Sequence, residues 1–591
     1  MLHRIARSWL AALLATLAAC GSDSSAPYLP GQPLTLDVSA VFPAGTVVRD
    51  QYSNQTATVT AQGALTLTPD PSGVLLLEKD GATPTPFNWQ DATVYFALTD
   101  RFNNGDSSND GSYGRKKDSA KEIGTWHGGD WKGLTAKLDY LAGLGVTALW
   151  ISPIVEQVHG WVGGGSGAYQ HYGYHGYWAL DYTRLDANFG SEADLAALVD
   201  GAHAKGIRVL VDVVLNHPGY ATGADLTSYL PAVFKDGTGA AFNAWAAGTG
   251  SKSFDDWNGY VDYASPSWVN WWPPKWIRAG LGPTGTFPAG GTDEFTRQLN
   301  SLPDFITEGT AAAGLPPLLA HKGDSAAVEI PGNTVRQYLV KWHTDWVRKF
   351  GIDGFRCDTA MNVELATWKA LKDAAVPALR DWKTANPTKK LDDADFWMTG
   401  EAFGKGPQKD AYYTDGKFDS MINFAFQSTA RDVFLAKGNL AANAVPVDAS
   451  WRGLAGQISG DPTFNVLSYL SSHDTLLFYS ALGADAAKQK QAAAALLLNP
   501  GGVQIFYGDE SGRQVSDTGG DAIQAVRSDM NWSTLDAAQV AHWSKLGNFR
   551  KRHASVGAGA HTKLASPAGT YAFSRTFGQD AVVVVLTAPK P

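Results

Sequence analysis

From Asp91 onward, short runs of β-branched and aromatic residues alternate with longer amphipathic stretches, and this alternation restricts the fold of the 591-residue chain more than any other feature. The apolar runs are Thr93–Leu98, Val146–Ile151, Arg208–Leu215, Ile352–Cys357, Phe396–Gly400, Phe418–Asn423, Asn465–Leu470 and Val503–Phe506. Helical periodicity fills the spaces between them, for example in Leu134–Leu144, Ser191–Lys205 and Thr334–Phe350. Strands separated by helices must run parallel. Eight such units predict an α/β fold, a (β/α)8 TIM barrel, whose reactive side chains belong at the C-terminal ends of the strands.

The remaining segments attach to that frame. Residues 218–332, after the third strand, are full of Gly, Pro and Trp. A connection that long needs structure of its own, so a subdomain is expected over the barrel mouth, dividing the barrel into 90–217 and 333–555. Residues 31–82 alternate Val, Thr and Leu with polar residues and carry Gln-Gly and Ser-Gly turns, which predicts a small antiparallel β unit. Thr83-Pro-Thr-Pro-Phe87 is a stiff linker out of it. Residues 556–591 hold two more strand-like runs, Gly569–Arg575 and Ala581–Thr587.

Composition excludes some partners. Lys and Arg number 48 against 57 Asp and Glu, a net charge of −9 with no basic block, which argues against nucleic acid. The 21 Trp and 21 Tyr favour carbohydrate, because aromatic faces stack on sugar rings. At the N-terminus, Met1–Arg7 is positively charged and Leu10–Leu17 is too short to span a bilayer. Leu17-Ala-Ala-Cys20 resembles a bacterial lipoprotein signal, with residues 1–19 removed, Cys20 acylated and 20–30 left as a flexible tether. Gly21 in place of aspartate then favours the outer membrane, so membrane contact is expected only through the lipid. The alternative is an ordinary secretory signal with an incidental cysteine. Cys357 is the other cysteine, so a lipidated Cys20 leaves no disulfide.

Four predicted strand ends carry the chemistry. The third reads Val211-Asp-Val-Val-Leu-Asn-His217, with Asp212, Val214 and Asn216 on one face and His217 at the lip. The fourth, in Gly351–Ala360, puts Arg356 and Asp358 on one face and Phe355 and Cys357 on the other. An Arg beside an Asp lowers its pKa. The fifth ends in Glu401, and the seventh in His473-Asp474. A single such pair could be a structural ion pair; three acids, an Arg and two His on four strand ends make a reactive constellation.

These four segments resemble, in order and separation, the four signature regions of the α-amylase family of glycoside hydrolases. Ala92–Phe102, Tyr174-His-Gly-Tyr-Trp178, Ser301-Leu-Pro-Asp304 and Ile505–Glu510 extend the likeness. The segment His159–Gly165, with Phe396–Ala402, Asn465–Thr475 and Arg527–Trp532, is similar to the periplasmic α-amylases of Gram-negative bacteria. The resemblance implies Asp358 as nucleophile, Glu401 as acid and base, and Asp474 as the third carboxylate. Two carboxyls about 5–5.5 Å apart with separated pKa values give retention of configuration. Tyr177, Trp178, His217, Arg356 and His473 are implied at the reacting sugar, with Arg527 pairing with Asp474 or reaching that sugar. Asp212 is either a tie beneath the site or a substrate contact.

Calcium is the implied cofactor. Asn216 and Asp304, with the backbone carbonyl of Asn362, match one family site. A second loop, with Asn104, Asp106, Asn109, Asp110, the Gly128 carbonyl and Asp130, resembles an N-terminal calcium loop, and is otherwise a polar turn. Past the nucleophile, Met361-Asn362 replaces the Lys-His common in the family, which bears on acceptor-side binding. Residues 46–78 resemble the closing half of the β-sandwich that usually follows the barrel, so the two chain ends are expected to form one permuted sandwich. The alternative is a separate N-terminal module. The implied activity is endo-hydrolysis of α-1,4-glucosidic bonds in starch or maltodextrin in the Gram-negative envelope, whether periplasmic or anchored at the outer membrane. The alternatives are 4-α-glucanotransfer and non-catalytic glycan binding.

Overall fold

The computed structural model describes residues 28–590 except 118–122, 165–168, 280–284, 437–439, 442–443 and 517–520. The expected signal and Cys20 lie outside the described residues. Eight parallel strands close a barrel: β1 Thr93–Ala97, β2 Ala148–Ile151, β3 Arg208–Val213, β4 Gly354–Cys357, β5 Trp397–Gly400, β6 Ser420–Asn423, β7 Val466–Tyr469 and β8 Gly502–Phe506. Neighbours follow chain order, and β8 closes on β1 from Val503 opposite Thr93 to Phe506 opposite Phe96. All residues of these strands are buried, since helices cover one face and side chains fill the other. The expected alternation on β4 holds: Phe355 meets His343 of a covering helix, while Arg356 lies in register with Asp212 on β3 and Thr399 on β5.

Local signals explain the helix boundaries. Ser191 and Asp194 form a capping box at the start of Glu192–Ala204, and Thr334 with Gln337 does the same for Val335–Phe350. The second helix stops at Gly351, whose φ of 73° and whose approach to Trp382 leave no room for a Cβ. The helix expected over Leu134–Leu144 is instead two, Trp131–Thr135 and Leu138–Gly143, divided at Lys137 with φ −108° and ψ 5°. Gly133 sits against the Asn103 carbonyl, where an added Cβ would lie 1.8 Å away. That contact pins the first piece, and the chain bends before Leu138 and Leu141 reach the barrel.

The covering subdomain has two parts. Residues 218–332 form short helices, including Gly223–Tyr229 and Ala240–Ala247, around buried Trp257, Trp268, Trp271, Trp272 and Trp276. Trp276 stacks on Trp342 of helix Val335–Phe350 with centroids 5.6 Å apart, fastening this part to the barrel. A second excursion, between β2 and β3, was not expected. Val155–Gln157 pairs with Ala179–Leu185 and Trp161–Gly163 with Gln170–Tyr172. Three of these four strands have three residues, too few to show a period, and pairing of the seven-residue Ala179–Leu185 is interrupted by register shifts.

The chain ends share one sheet. Its order is Ala560–Leu564, Thr570–Phe577, Asp580–Thr587, Val74–Lys79, Val47–Asp50 and Thr56–Thr58, with Val583 opposite Leu77 and Leu586 opposite Val74. Leu34–Asp37 and Ala64–Leu67 make a facing two-stranded sheet. Leu75, Leu77, Val583 and Val585 pack inside this sandwich, whereas Leu76, Val582 and Val584 join the barrel core. Burial on both faces explains the unbroken apolar run at 581–586. His553 at the end of the last long barrel helix ties the ends further, bonding Glu78 and, at 2.7 Å, Asp580. Leu76→Ala empties a fully buried position between sandwich and barrel and is expected to cost about 2–5 kcal/mol in a chemical denaturation curve.

Candidate active site

The C-terminal ends of β3, β4, β5 and β7 bring Asp212, Arg356, Asp358, Glu401 and Asp474 to one end of the barrel. Arg356, fully buried, organises them. Its Nη1 donates to Asp358 Oδ1 at 2.6 Å and to both Asp212 oxygens at 3.0 and 3.1 Å, and its Nη2 pairs with Glu401 Oε2 at 2.9 Å. Asp212 also accepts from Tyr177 OH at 2.9 Å and Trp150 Nε1 at 3.2 Å, and is 1% exposed. It is a tie beneath the site.

Backbone strain completes the pair of acids. Thr359, next to Asp358, takes a left-handed conformation with φ 45° and ψ 42°, unfavourable for a β-branched residue. The turn aims its N–H at Glu401 Oε2, 3.1 Å away. With Arg356 and Thr359 both donating to Oε2, a proton on Glu401 belongs on Oε1. Asp358 Oδ1 is likewise taken by Arg356, which leaves Oδ2 as its free oxygen.

The three carboxyls differ in proton affinity. Burial pushes Glu401 up to about 7, with Arg356 opposing and Asp358 and Asp474 reinforcing the shift. Burial also raises Asp358, again against Arg356. Burial works the same way on Asp474, but His473 at 3.0 Å and Arg527 at 2.8 Å outweigh it and hold this carboxyl below its ordinary range. One acid can therefore keep a proton near neutrality while another stays ionised beside it.

An open cleft of about 940 Å³ lies over these groups, lined by Asp358, Glu401 and Asp474 together with Tyr177, Trp178, His217 and Arg527. Arg356 and His473, expected to line the sugar subsite, lie behind this surface, each 1% exposed. Arg356 is consumed by its three carboxylates. His473 Nε2 faces Tyr177 OH at 2.8 Å as well as Asp474. Sequence reasoning missed the Thr359 amide, His171 and His175 from the second excursion, Arg297 and Asn300 from the subdomain, and exposed Phe403 two residues past Glu401. Only Phe403 carried a signal, as an aromatic at a strand end.

The proposed metal ligands fall in two places. Asn216 Oδ1 lies 3.1 Å from the Asn362 carbonyl and 3.3 Å from Asp304 Oδ1, three oxygens with no proton among them unless the amide is turned over. The Asn362 side chain is engaged elsewhere, donating to the Glu294 carbonyl at 2.7 Å. In the loop near Gly128, Asn104 bonds Asp110 at 3.0 Å, Lys117 pairs with Asp110, and Lys132 pairs with Asp106 at 2.5 Å. Asp130 caps the helix at Trp131–Thr135 and also accepts from Asp106 N at 2.7 Å. Asn109 Oδ1 is buried there without a donor.

The model of the α-amylase catalytic domain matches residues 96–266 and 325–555. The chain belongs to the α-amylase family of glycoside hydrolases. This α-amylase-family chain is 50% identical over 574 residues to a protein named periplasmic alpha-amylase from Escherichia coli (strain K12), covering 95% of the chain and 81% of that relative. An alpha-amylase from Streptomyces lividans is 28% identical, over 77% of the chain and half of the relative. Among solved structures, an Anoxybacillus alpha-amylase superposes with a TM-score of 0.57 at 22% identity, over 84% of this chain and 87% of that one, a likeness of fold.

With Glu401 in the general-acid role that the family resemblance implies, its proton would set the alkaline limb of activity. Deprotonation above about pH 7 removes the general acid, so kcat/KM is expected to fall as pH rises through that value and to fall again in acid as Asp358 takes up a proton. A pH profile on a soluble α-glucan checks both limbs.

Proposed function

We propose that the protein is a retaining, endo-acting hydrolase of α-1,4-glucosidic bonds in starch and maltodextrins. The observation that carries this reading is the pair of carboxyls Asp358 and Glu401 that Arg356 holds together at one cleft, where burial raises Glu401 to about 7 against the pull of Arg356. Asp358 Oδ2 attacks the anomeric carbon while Glu401 gives its proton to the departing glycosidic oxygen. Glu401, now a base, takes a proton from water, whose oxygen displaces Asp358 and restores both groups. Asp474, kept ionised by Arg527 and His473, stabilises positive charge developing on the sugar ring. Tyr177 supplies a stacking face fixed by its bonds to Asp212 and His473.

Glu401→Gln keeps the bonds to Oε2 but removes the proton donor. Reducing-end release from soluble starch is expected to drop by about 10²–10⁴-fold or more, and near-normal turnover would remove Glu401 from this role. Proton NMR of the first products should show the α-anomer. The competing reading is 4-α-glucanotransfer, which diverts the same intermediate to a sugar hydroxyl. Met361, which lines the cleft where relatives often carry Lys, favours attention to it, since an apolar side chain there changes the acceptor side. Products longer than a defined maltooligosaccharide substrate would reveal transfer.

Calcium suits the oxygen set of Asn216, Asp304 and the Asn362 carbonyl when the Asn216 amide turns its oxygen toward the other two, with the second Asp304 oxygen held by Arg278 at 2.7 Å. Bound there, it would tie the ends of β3 and β4 to the subdomain and so steady the turn that holds Asp358. The loop near Gly128 is a second candidate, supported by the unpaired Asn109 Oδ1, although Lys117 and Lys132 already neutralise its carboxylates. Chelation is expected to lower the melting temperature, and Asp304→Ala to lower it equally without chelator and to abolish the response. The periplasmic relative and the Cys20 motif support residence in the Gram-negative cell envelope, with lipid at Cys20 as the membrane attachment.

A further inference from the structure

At the opposite end of the barrel from the cleft lies a groove of about 1190 Å³, lined by residues just before β1, β5, β6 and β7 and by the turn Phe577–Asp580 of the terminal hairpin. It exists because the permuted sandwich lays that turn beside the linker at 85–90. Its volume exceeds that of ordinary small-ligand pockets, and it sits at a domain junction, where binding sites concentrate.

The lining has a definite chemistry. Trp89 stacks on Trp397 with centroids 4.4 Å apart and planes 7° from parallel, and Phe87 meets Trp89 edge-on at 5.0 Å. The Arg208 guanidinium sits 3.2 Å from the Phe87 ring centre and fixes that ring from one side. Phe577, 43% exposed, presents a large apolar ring at the tip of a turn, where solvent exposure is unfavourable unless something covers it. The formal charges nearby cancel: Lys372 pairs with Asp419, Lys409 with Asp461 at 2.6 Å, and Asp580 with His553. Lys417 is exposed and held in a left-handed conformation with φ 62°. Asn88 uses its Oδ1 to cap Gln90, which leaves its amide nitrogen as a donor.

Trp397, 2% exposed and covered by Trp89, belongs to the floor, while the exposed Phe577 ring, with hydrogen-bond donors and nearly balanced charge around it, suits a neutral polyhydroxylated chain and suits an anionic lipid or nucleic acid poorly. We propose that this groove is a second α-glucan-binding site, holding a distant segment of the polymer whose other part is cut in the cleft. The proposal rests on the hydrolase reading given above. A long ligand held at two places gains effective concentration at the cleft, and a short one gains nothing.

The test uses the full chain. Glu401→Gln protein is adsorbed to insoluble starch granules with and without Phe577→Ala or Lys417→Ala, and each groove substitution is also made in the active protein and assayed on maltoheptaose. The expected result is adsorption weakened on the order of three- to tenfold by Phe577→Ala, as for loss of one stacking face, with kcat/KM on maltoheptaose unchanged. Lys417→Ala, at an exposed site, should weaken adsorption in the same direction. Adsorption equal to the parent's in both variants overturns the proposal, including the case in which the groove serves a protein partner instead. Absence of maltoheptaose hydrolysis by the unsubstituted protein is a different failure, that of the hydrolase reading itself.

Discussion

One guanidinium is shared among three buried carboxylates, and the site depends on that sharing. Arg356 reaches Asp212 below, Asp358 on its own strand and Glu401 on the next. Three negative charges so close in a low-dielectric barrel end cannot all be ionised against a single positive charge without large cost. Burial raises Asp212 to about 8 and Glu401 to about 7, and of these two only Glu401 lines the cleft, with Oε1 free of donors. The general acid of the proposed mechanism is thus a consequence of burial beside other carboxyls.

The surroundings hold that balance in place. The left-handed Thr359 is tolerated because its neighbours are clamped: Asp358 N donates to Val213 O and Ala360 N to Glu401 O. Beyond Asp358, Asn216 reaches both the Asn362 carbonyl and Asp304, so the turn after β4 is coupled to the subdomain. A break in subdomain packing would therefore reach Asp358 through three residues of backbone. Farther out, the sandwich closes over the barrel's other end through Leu76 and Val584, and its terminal strands need both chain ends to be present.

Much of this was legible in residue order. All eight strands fell where apolar runs had placed them, because a strand buried on both faces has no polar alternation to confuse with a loop. The reactive acids were legible because Arg356 and Asp358 share a face and because Asp212, Glu401 and Asp474 end strands of the same barrel. The excursion at 155–185 was not, since three of its four strands have only three residues and it is held by Arg115, which bonds Asp186 at 2.8 Å from 71 residues away. Lys137 likewise breaks a helix that periodicity would continue, because Gly133 docks first against Asn103.

The sequence by itself determined the barrel, the identity of the acids, and that two β fragments lie at opposite ends of the chain. These follow from local rules: side-chain alternation, capping, and the placement of charge at strand ends. Only the tertiary structure decided between the expected shared sheet and a separate N-terminal module, that Arg356 and His473 sit behind the cleft surface rather than on it, and that burial raises Glu401 to about 7. Each of those depends on distances between residues far apart in sequence and on burial from water, which no local pattern encodes.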